Sequence, residues 1–155
     1  MNPPPTQKLS IWSEFGTWLL FAGLCLVAGS AVGAFTGSSI DNWFTTIQLP
    51  SFQPPNAIFP IVWTLLYLLM GTAAWLMWRR YGFSGAKGAL SLFALQFLMN
   101  LSWTPVFFGA QSIGGALVLI LAILIAVAIT TIAFWRKSVL AGALLIPYLA
   151  WVGFA

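Results

Sequence analysis

The sequence predicts an all-α integral membrane protein, a five-transmembrane-helix bundle forming a single domain. Three observations predict it. Apolar residues make up 61% of the 155-residue chain and charged residues 5%, with a mean hydropathy of +0.97, whereas about a quarter of the residues of a soluble domain are charged. The apolar residues gather into five runs, most of them close to the roughly 20 residues that an α-helix needs to cross a hydrocarbon core. On a five-span reading the amino terminus and the second and fourth connections share one side, and all six basic residues (Lys8, Arg79, Arg80, Lys87, Arg136, Lys137) fall there. The positive-inside rule makes that side cytoplasmic and the first loop external. The basic balance is therefore a topology signal and gives no reason to expect nucleic acid as a partner; the bilayer is the expected one.

Composition also removes whole classes of chemistry. The chain has no histidine, so zinc sites of the usual type, histidine-ligated haem and histidine general bases are excluded, and no metal site is expected. The single cysteine, Cys25, cannot form an internal disulfide. Glu14 and Asp41 both lie outside the expected spans, so paired-carboxylate hydrolysis or proton relay is not expected either.

In chain order, residues 1–14 are expected to be a flexible polar tail and residues 15–155 the membrane domain. The first span, about 15–35, carries Gly29, Gly33 and Gly37 every four residues, a small-residue stripe that lets helices approach closely within or between protomers. The first loop holds Trp43, Phe44, Pro50, Phe52, Pro54 and Pro55 and serves either as a lid over one mouth of the bundle or as an interfacial anchor. The second span, about 57–78, has Pro60 near its first turn, where a missing N–H does least harm. Its Trp63, Tyr67 and Met70 stand at i, i+4 and i+7. A short Gly-rich connection leads to the third span, about 89–108, where Pro105 predicts a local bend. The fourth span, about 113–135, is almost uniformly aliphatic and is expected to face lipid broadly. The fifth, 139–155, would cover only about 25 Å, short of a core near 30 Å, so the last helix is expected to be truncated.

The third span carries the chemistry. Gln96, Asn100 and Trp103 at i, i+4 and i+7 place two carboxamides and an indole on one helical stripe inside an apolar run. In hydrocarbon such groups need a partner in a neighbouring helix, a water or a ligand. Among the nine tryptophans, Trp12, Trp43, Trp78 and Trp135 sit near span ends, where an aromatic belt accounts for them. Trp63, Trp103 and Trp151 belong to polar or aromatic stripes, and core packing and pocket lining are both open for them. Flat aromatic walls with a few amides suit a large, flat, mostly apolar ligand with polar edges, a description that tetrapyrroles and sterols both meet.

The segments Pro54-Pro55, Phe59-Pro60-Ile61-Val62-Trp63-Thr64-Leu65-Leu66-Tyr67, Gln96 to Gly109 and Pro147-Tyr148-Leu149-Ala150-Trp151 together resemble the translocator protein family, also called tryptophan-rich sensory proteins or peripheral benzodiazepine receptors. The likeness runs from about Phe15 to the last residue and is of bacterial type. It implies a five-helix bundle, often a homodimer, that acts as a receptor or carrier for porphyrins and haem-related tetrapyrroles, and also for sterols and benzodiazepine-site ligands. No cofactor is required; the tetrapyrrole is the ligand. By position, the ligand-binding residues implied are Trp63, Tyr67, Asn100, Trp103, Phe107, Tyr148, Trp151 and Ala155. An alternative activity in the family is light-dependent oxidative degradation of porphyrin, for which Trp63 and Trp151 are the candidate residues. The chain departs from the family pattern at Leu49-Pro50, where Lys-Pro is common, and at Ala57, where a tryptophan is usual. With the chain ending at Ala155, the segment proposed in the family to recognise cholesterol is not expected here.

Overall fold

The computed structural model describes residues 10–34, 36 and 42–155. Every regular element among them is helical: α1 (Ile11–Ala34), a 3-10 turn (Phe44–Thr46), α2 (Ile58–Thr104) continuing into a π-helical turn (Pro105–Gly109), α3 (Ile113–Lys137) and α4 (Val139–Phe154). The helices α1, α2 with its π-helical extension and α3 are each long and apolar enough to cross a membrane, and α4 is a shorter apolar helix. The regular elements of the described residues are thus all helical and suit multiple membrane passage.

Among the described residues four α-helices stand where five were expected. The difference lies in residues 79–88, expected to be a connection, which stay helical apart from Gly82. A straight helix of 47 residues would be about 70 Å long, more than twice the hydrocarbon thickness. Yet Tyr67 and Asn100, 33 residues apart in α2, are hydrogen-bonded at 3.2 Å. The helix therefore folds back on itself at Gly82, whose φ of 64° and ψ of 177° are open only to glycine. Its two arms, 58–81 and 83–104, run antiparallel.

The first helix also starts earlier than the expected 15, taking residues 11–14 out of the tail. Ser10 stops the chain from fraying: its hydroxyl accepts from the Ser13 N–H at 3.3 Å and its carbonyl from the Glu14 N–H at 3.0 Å. Residues 1–9 of the expected tail, with Lys8, lie outside the described residues, as do Phe35, Gly37 and Asp41. At Pro105 the expected disturbance is a widening of the helix, with the Ala110 N–H reaching the Pro105 carbonyl at 2.9 Å. The third helix is less lipid-facing than expected, since Ile123, Val127, Thr130 and Phe134 are buried while Leu117, Leu121 and Ile125 are exposed.

Close backbone approach sets the packing of α1 on the first arm. A Cβ on Gly71 would sit 2.5 Å from Ala22 Cα. Two indoles bracket this contact from opposite helices: Trp18 Nε1 donates to Thr72 Oγ1 at 3.0 Å and Trp75 Nε1 to Thr17 Oγ1 at 3.1 Å. Further along, Gly29 leaves room for the Tyr67 ring. By contrast, a Cβ on Gly23 or Gly33 would meet nothing within 4 Å, so only part of the small-residue stripe packs within the protomer.

Charge collects at the end that carries the bend. Arg79 pairs with Glu14 at 2.7 Å, joining the end of the first arm to the start of α1. Lys137 Nζ donates to the Gly85 carbonyl at 3.0 Å, and the Tyr81 hydroxyl donates to the Lys137 carbonyl, tying the bend to the α3–α4 link. The opposite end is aromatic. Trp43 packs edge-on against Phe107 with ring centres 5.3 Å apart, and Phe52 lies 6.3 Å from Phe154.

Candidate functional site in the bundle interior

The fold-back of α2 brings two stripes from one helix face to face. From the first arm come Phe59, Trp63 and Tyr67, one turn apart; from the second come Gln96, Phe97 and Asn100. The helix α4 adds Tyr148 and Trp151. The second stripe is inward because hydrocarbon solvates its carboxamides poorly, and the aromatic rings of the first pack against it. Gln96 is 1% exposed and Asn100 8%.

Two hydrogen bonds knit these elements together. The Tyr67 hydroxyl donates to Asn100 Oδ1 at 3.2 Å, arm to arm. The Tyr148 hydroxyl donates to Gln96 Oε1 at 3.0 Å, joining α4 to the second arm. Trp63 stacks on Tyr67 with centres 5.4 Å apart and meets Tyr148 edge-on at 6.3 Å. Phe97 closes the other side of Tyr67 edge-on at 6.1 Å. The fully buried side-chain donor of this cluster that lacks a hydrogen-bond partner is Gln96 Nε2. A buried amide donor so placed costs about 1–3 kcal/mol and offers a ready bond to any acceptor that reaches it.

The residues singled out from the sequence divide into three groups. Trp63, Tyr67, Asn100 and Tyr148 meet directly, as above. Trp103 and Phe107 form a second cluster under the first loop, their rings parallel at 4.8 Å, with Trp103 Nε1 bonded to the Ala116 carbonyl at 3.1 Å and Trp43 on Phe107. Trp151 packs on Phe59 at 5.7 Å and Phe154 at 5.7 Å, on the flank of the first cluster. Ala155 is exposed beside it, its N–H on the Trp151 carbonyl at 2.9 Å.

A cleft of about 540 Å³ opens on this flank, between the first arm and α4, walled by Val62, Leu65, Leu66, Leu69, Ala150 and Trp151 among others. Its size suits a small molecule and its wall is apolar. Leu65 is 56% exposed, so the cleft looks outward, toward acyl chains. Trp151 borders this cleft, while Trp63, Tyr67, Asn100 and Tyr148 pack against one another, with Trp63 and Tyr67 only half-buried.

Two contributors are not marked as site residues by the sequence motifs. Gln96 belongs to the polar stripe, and its position in an apolar run is the signal; that its second donor goes unmet needs the neighbours. Gly29 seats the Tyr67 ring, and a Cβ there would lie 2.1 Å from Tyr67 Cε2. Among the described residues no group of three or more His, Cys, Asp or Glu side chains could hold a metal ion.

Comparison with known proteins gives a consistent picture. Residues 21–155 match the TspO/MBR family. The chain is 41% identical over 140 residues to the tryptophan-rich protein TspO of Chlorobaculum tepidum, covering 90% of this chain and 89% of that one. It is 38% identical to the translocator protein of Homo sapiens, over 88% of this chain and 84% of the human one. It is also 38% identical to the tryptophan-rich sensory protein of Cereibacter sphaeroides, over 86% and 83% of the two chains.

Proposed function

This chain belongs to the TspO/MBR family, and on that premise we propose that it is a membrane receptor or carrier for porphyrins and related tetrapyrroles, with sterols and benzodiazepine-type ligands as further occupants. The observation that carries the proposal is the convergence of Trp63, Tyr67, Asn100 and Tyr148 from both arms of α2 and from α4. Aromatic faces supply dispersion and stacking for a flat macrocycle, and the carboxamide of Asn100 can meet polar atoms at its edge. Trp151, Trp103 and Phe107 extend this surface toward the cleft and the first loop, and Ala155 lies beside Trp151.

The proposal includes five crossings, with α1, the two arms of α2, α3 and α4 each passing once. The bend and the α3–α4 link then face the cytoplasm with Arg79, Arg80, Lys87, Arg136 and Lys137, and the first loop is external. Pairing of two copies through the unpacked Gly23 and Gly33 face of α1 completes it.

Titration of the detergent-solubilised chain with protoporphyrin, followed by tryptophan fluorescence, tests the reading. Saturable quenching is expected, with affinity at least about tenfold weaker in the Trp63→Phe, Asn100→Ala double variant. Equal affinity in wild type and variant would overturn it. The rival activity, oxidative breakdown of porphyrin under light by way of Trp63 and Trp151, is read from the same samples: loss of the porphyrin absorption band faster than with free tryptophan would move the function to catalysis.

A further inference from the structure

The end of the molecule that carries the Gly82 bend holds more positive charge than its own acceptors neutralise. Arg79 is paired with Glu14 at 2.7 Å. Lys137 is engaged by the Gly85 carbonyl and the Tyr81 ring, 5.0 Å from its Nζ, and Arg80 lies 5.7 Å from the same ring. Among the described residues, Lys87 has no hydrogen-bond, ionic or ring partner. Positive charge at a cytoplasmic end needs no further purpose, but the position of Lys87 is particular.

Lys87 stands in a shallow, open cleft of about 410 Å³ on the outer face of the second arm, whose lining residues all come from that arm: Phe83, Ser84, Lys87, Leu90, Ser91 and Ala94. Ser84, Lys87, Ser91 and Ala94 are spaced i, i+3, i+7 and i+10, which puts them on one helical stripe. Polarity changes along it: Ser84 and Lys87 lie near the bend, Leu90 and Ala94 deeper. From Ser84 to Ala94 is about 15 Å along the helix, roughly the depth of one leaflet's hydrocarbon. Phe83, 66% exposed, stands at the charged end.

The two serines add an independent observation. Within these helices Thr64, Thr72, Ser102, Thr130 and Thr131 each turn their hydroxyl back to the carbonyl four residues earlier, at 2.7–2.8 Å. That return satisfies the hydroxyl where no water can. Ser84 and Ser91 are helical and exposed, and like Ser30 on α1 their hydroxyls make no hydrogen bond in the described structure. Their hydroxyls are free, in the same cleft as a free ammonium.

We propose that this cleft binds an anionic phospholipid of the leaflet on the basic side. Lys87 and Ser84 take the phosphate and headgroup, the Ser91 hydroxyl meets a glycerol ester oxygen, and an acyl chain lies along Leu90 and Ala94. Charge complementarity selects the occupant: the cleft offers a cation and hydroxyl donors at one end and hydrocarbon at the other, and no carboxylate lines it. The proposal is independent of what the bundle interior binds.

The full chain, solubilised in neutral detergent, is titrated with dioleoyl phosphatidylglycerol or dioleoyl phosphatidylcholine, and retained lipid is counted by native mass spectrometry. Preferential retention of phosphatidylglycerol is expected, reduced about fivefold in Lys87→Gln and restored in Lys87→Arg. The Ser84→Ala, Ser91→Ala double variant should lose about two- to threefold. Arg136→Gln, which removes the same charge at the same end but outside the cleft, should change retention little. Thermal unfolding should be unaltered in all four. Equal retention of the two lipids overturns the proposal. So does an equal loss in Lys87→Gln and Arg136→Gln, since retention would then follow diffuse surface charge.

Discussion

Two tyrosine–carboxamide pairs cross the same interior, and their surroundings differ. Tyr148 and Gln96 are sealed, at 0% and 1% exposure, and hydrogen-bonded at 3.0 Å. Tyr67 and Asn100 make the same kind of bond at 3.2 Å, but Tyr67 is only half-buried, with Trp63 lying along one face. Identical functional groups therefore do different work. The sealed pair fixes α4 on the second arm, because neither member can find water if the other is lost. The open pair holds a stacked indole and phenol that stay partly exposed, the edge at which the proposed ligand would bind. The variants below separate fixing from binding.

The largest effect on binding is expected from Gly29→Val, a change on α1 that touches neither carboxamide. Its Cβ would lie 2.1 Å from Tyr67 Cε2 and 2.3 Å from Cζ. The ring cannot stay, and in leaving it gives up both the Asn100 bond and the Trp63 stack. Protoporphyrin affinity should fall by at least about thirtyfold, with stability lowered by about 1–3 kcal/mol in thermal unfolding. Affinity within twofold of wild type would show that the seat of Tyr67 has no part in binding.

Tyr148→Phe and Tyr67→Phe sharpen the contrast, since each removes one hydroxyl. Losing the Tyr148 hydroxyl leaves the whole Gln96 carboxamide unmet and should lower stability by about 1–3 kcal/mol while affinity stays within about twofold. Losing the Tyr67 hydroxyl should lower stability by about 0.5–1 kcal/mol and affinity by about fivefold. If Tyr148→Phe weakens binding more than Tyr67→Phe does, the assignment of roles is reversed.

Much of this arrangement is legible in the sequence, because membrane burial turns polarity into direction. Gln96 and Asn100 in an apolar run could only point inward, and they do. The reversal at Gly82 is harder to see. Glycines at 82, 85 and 88 suggest a loop, but among them only Gly82 takes a positive φ, and the others keep helical geometry. The partition of the aromatic residues is not legible either. A stripe gives the face of a helix and leaves open which neighbour it meets. Trp103 hydrogen-bonds a backbone carbonyl of Ala116 on α3, and a carbonyl leaves no mark in a sequence. The reciprocal bonds of Trp18 with Thr72 and Trp75 with Thr17 are hidden for a related reason: each indole and its hydroxyl are more than 50 residues apart.

The smallest expected effect on stability is also the most discriminating. In the Gln96→Leu, Tyr148→Phe double variant both members of the sealed pair become apolar, and the unmet Nε2 donor of Gln96 disappears with them. Either single change strands a partner, whereas the double change strands nothing, so its stability should lie within about 0.5 kcal/mol of wild type or above it. The cycle of four proteins gives the coupling of the pair directly. Applied to Asn100→Leu with Tyr67→Phe, the same cycle should again return stability close to wild type, but here porphyrin affinity should not recover. Stability rescued in both doubles with binding lost in only one is the outcome that distinguishes a contact made for the fold from a contact made for a ligand.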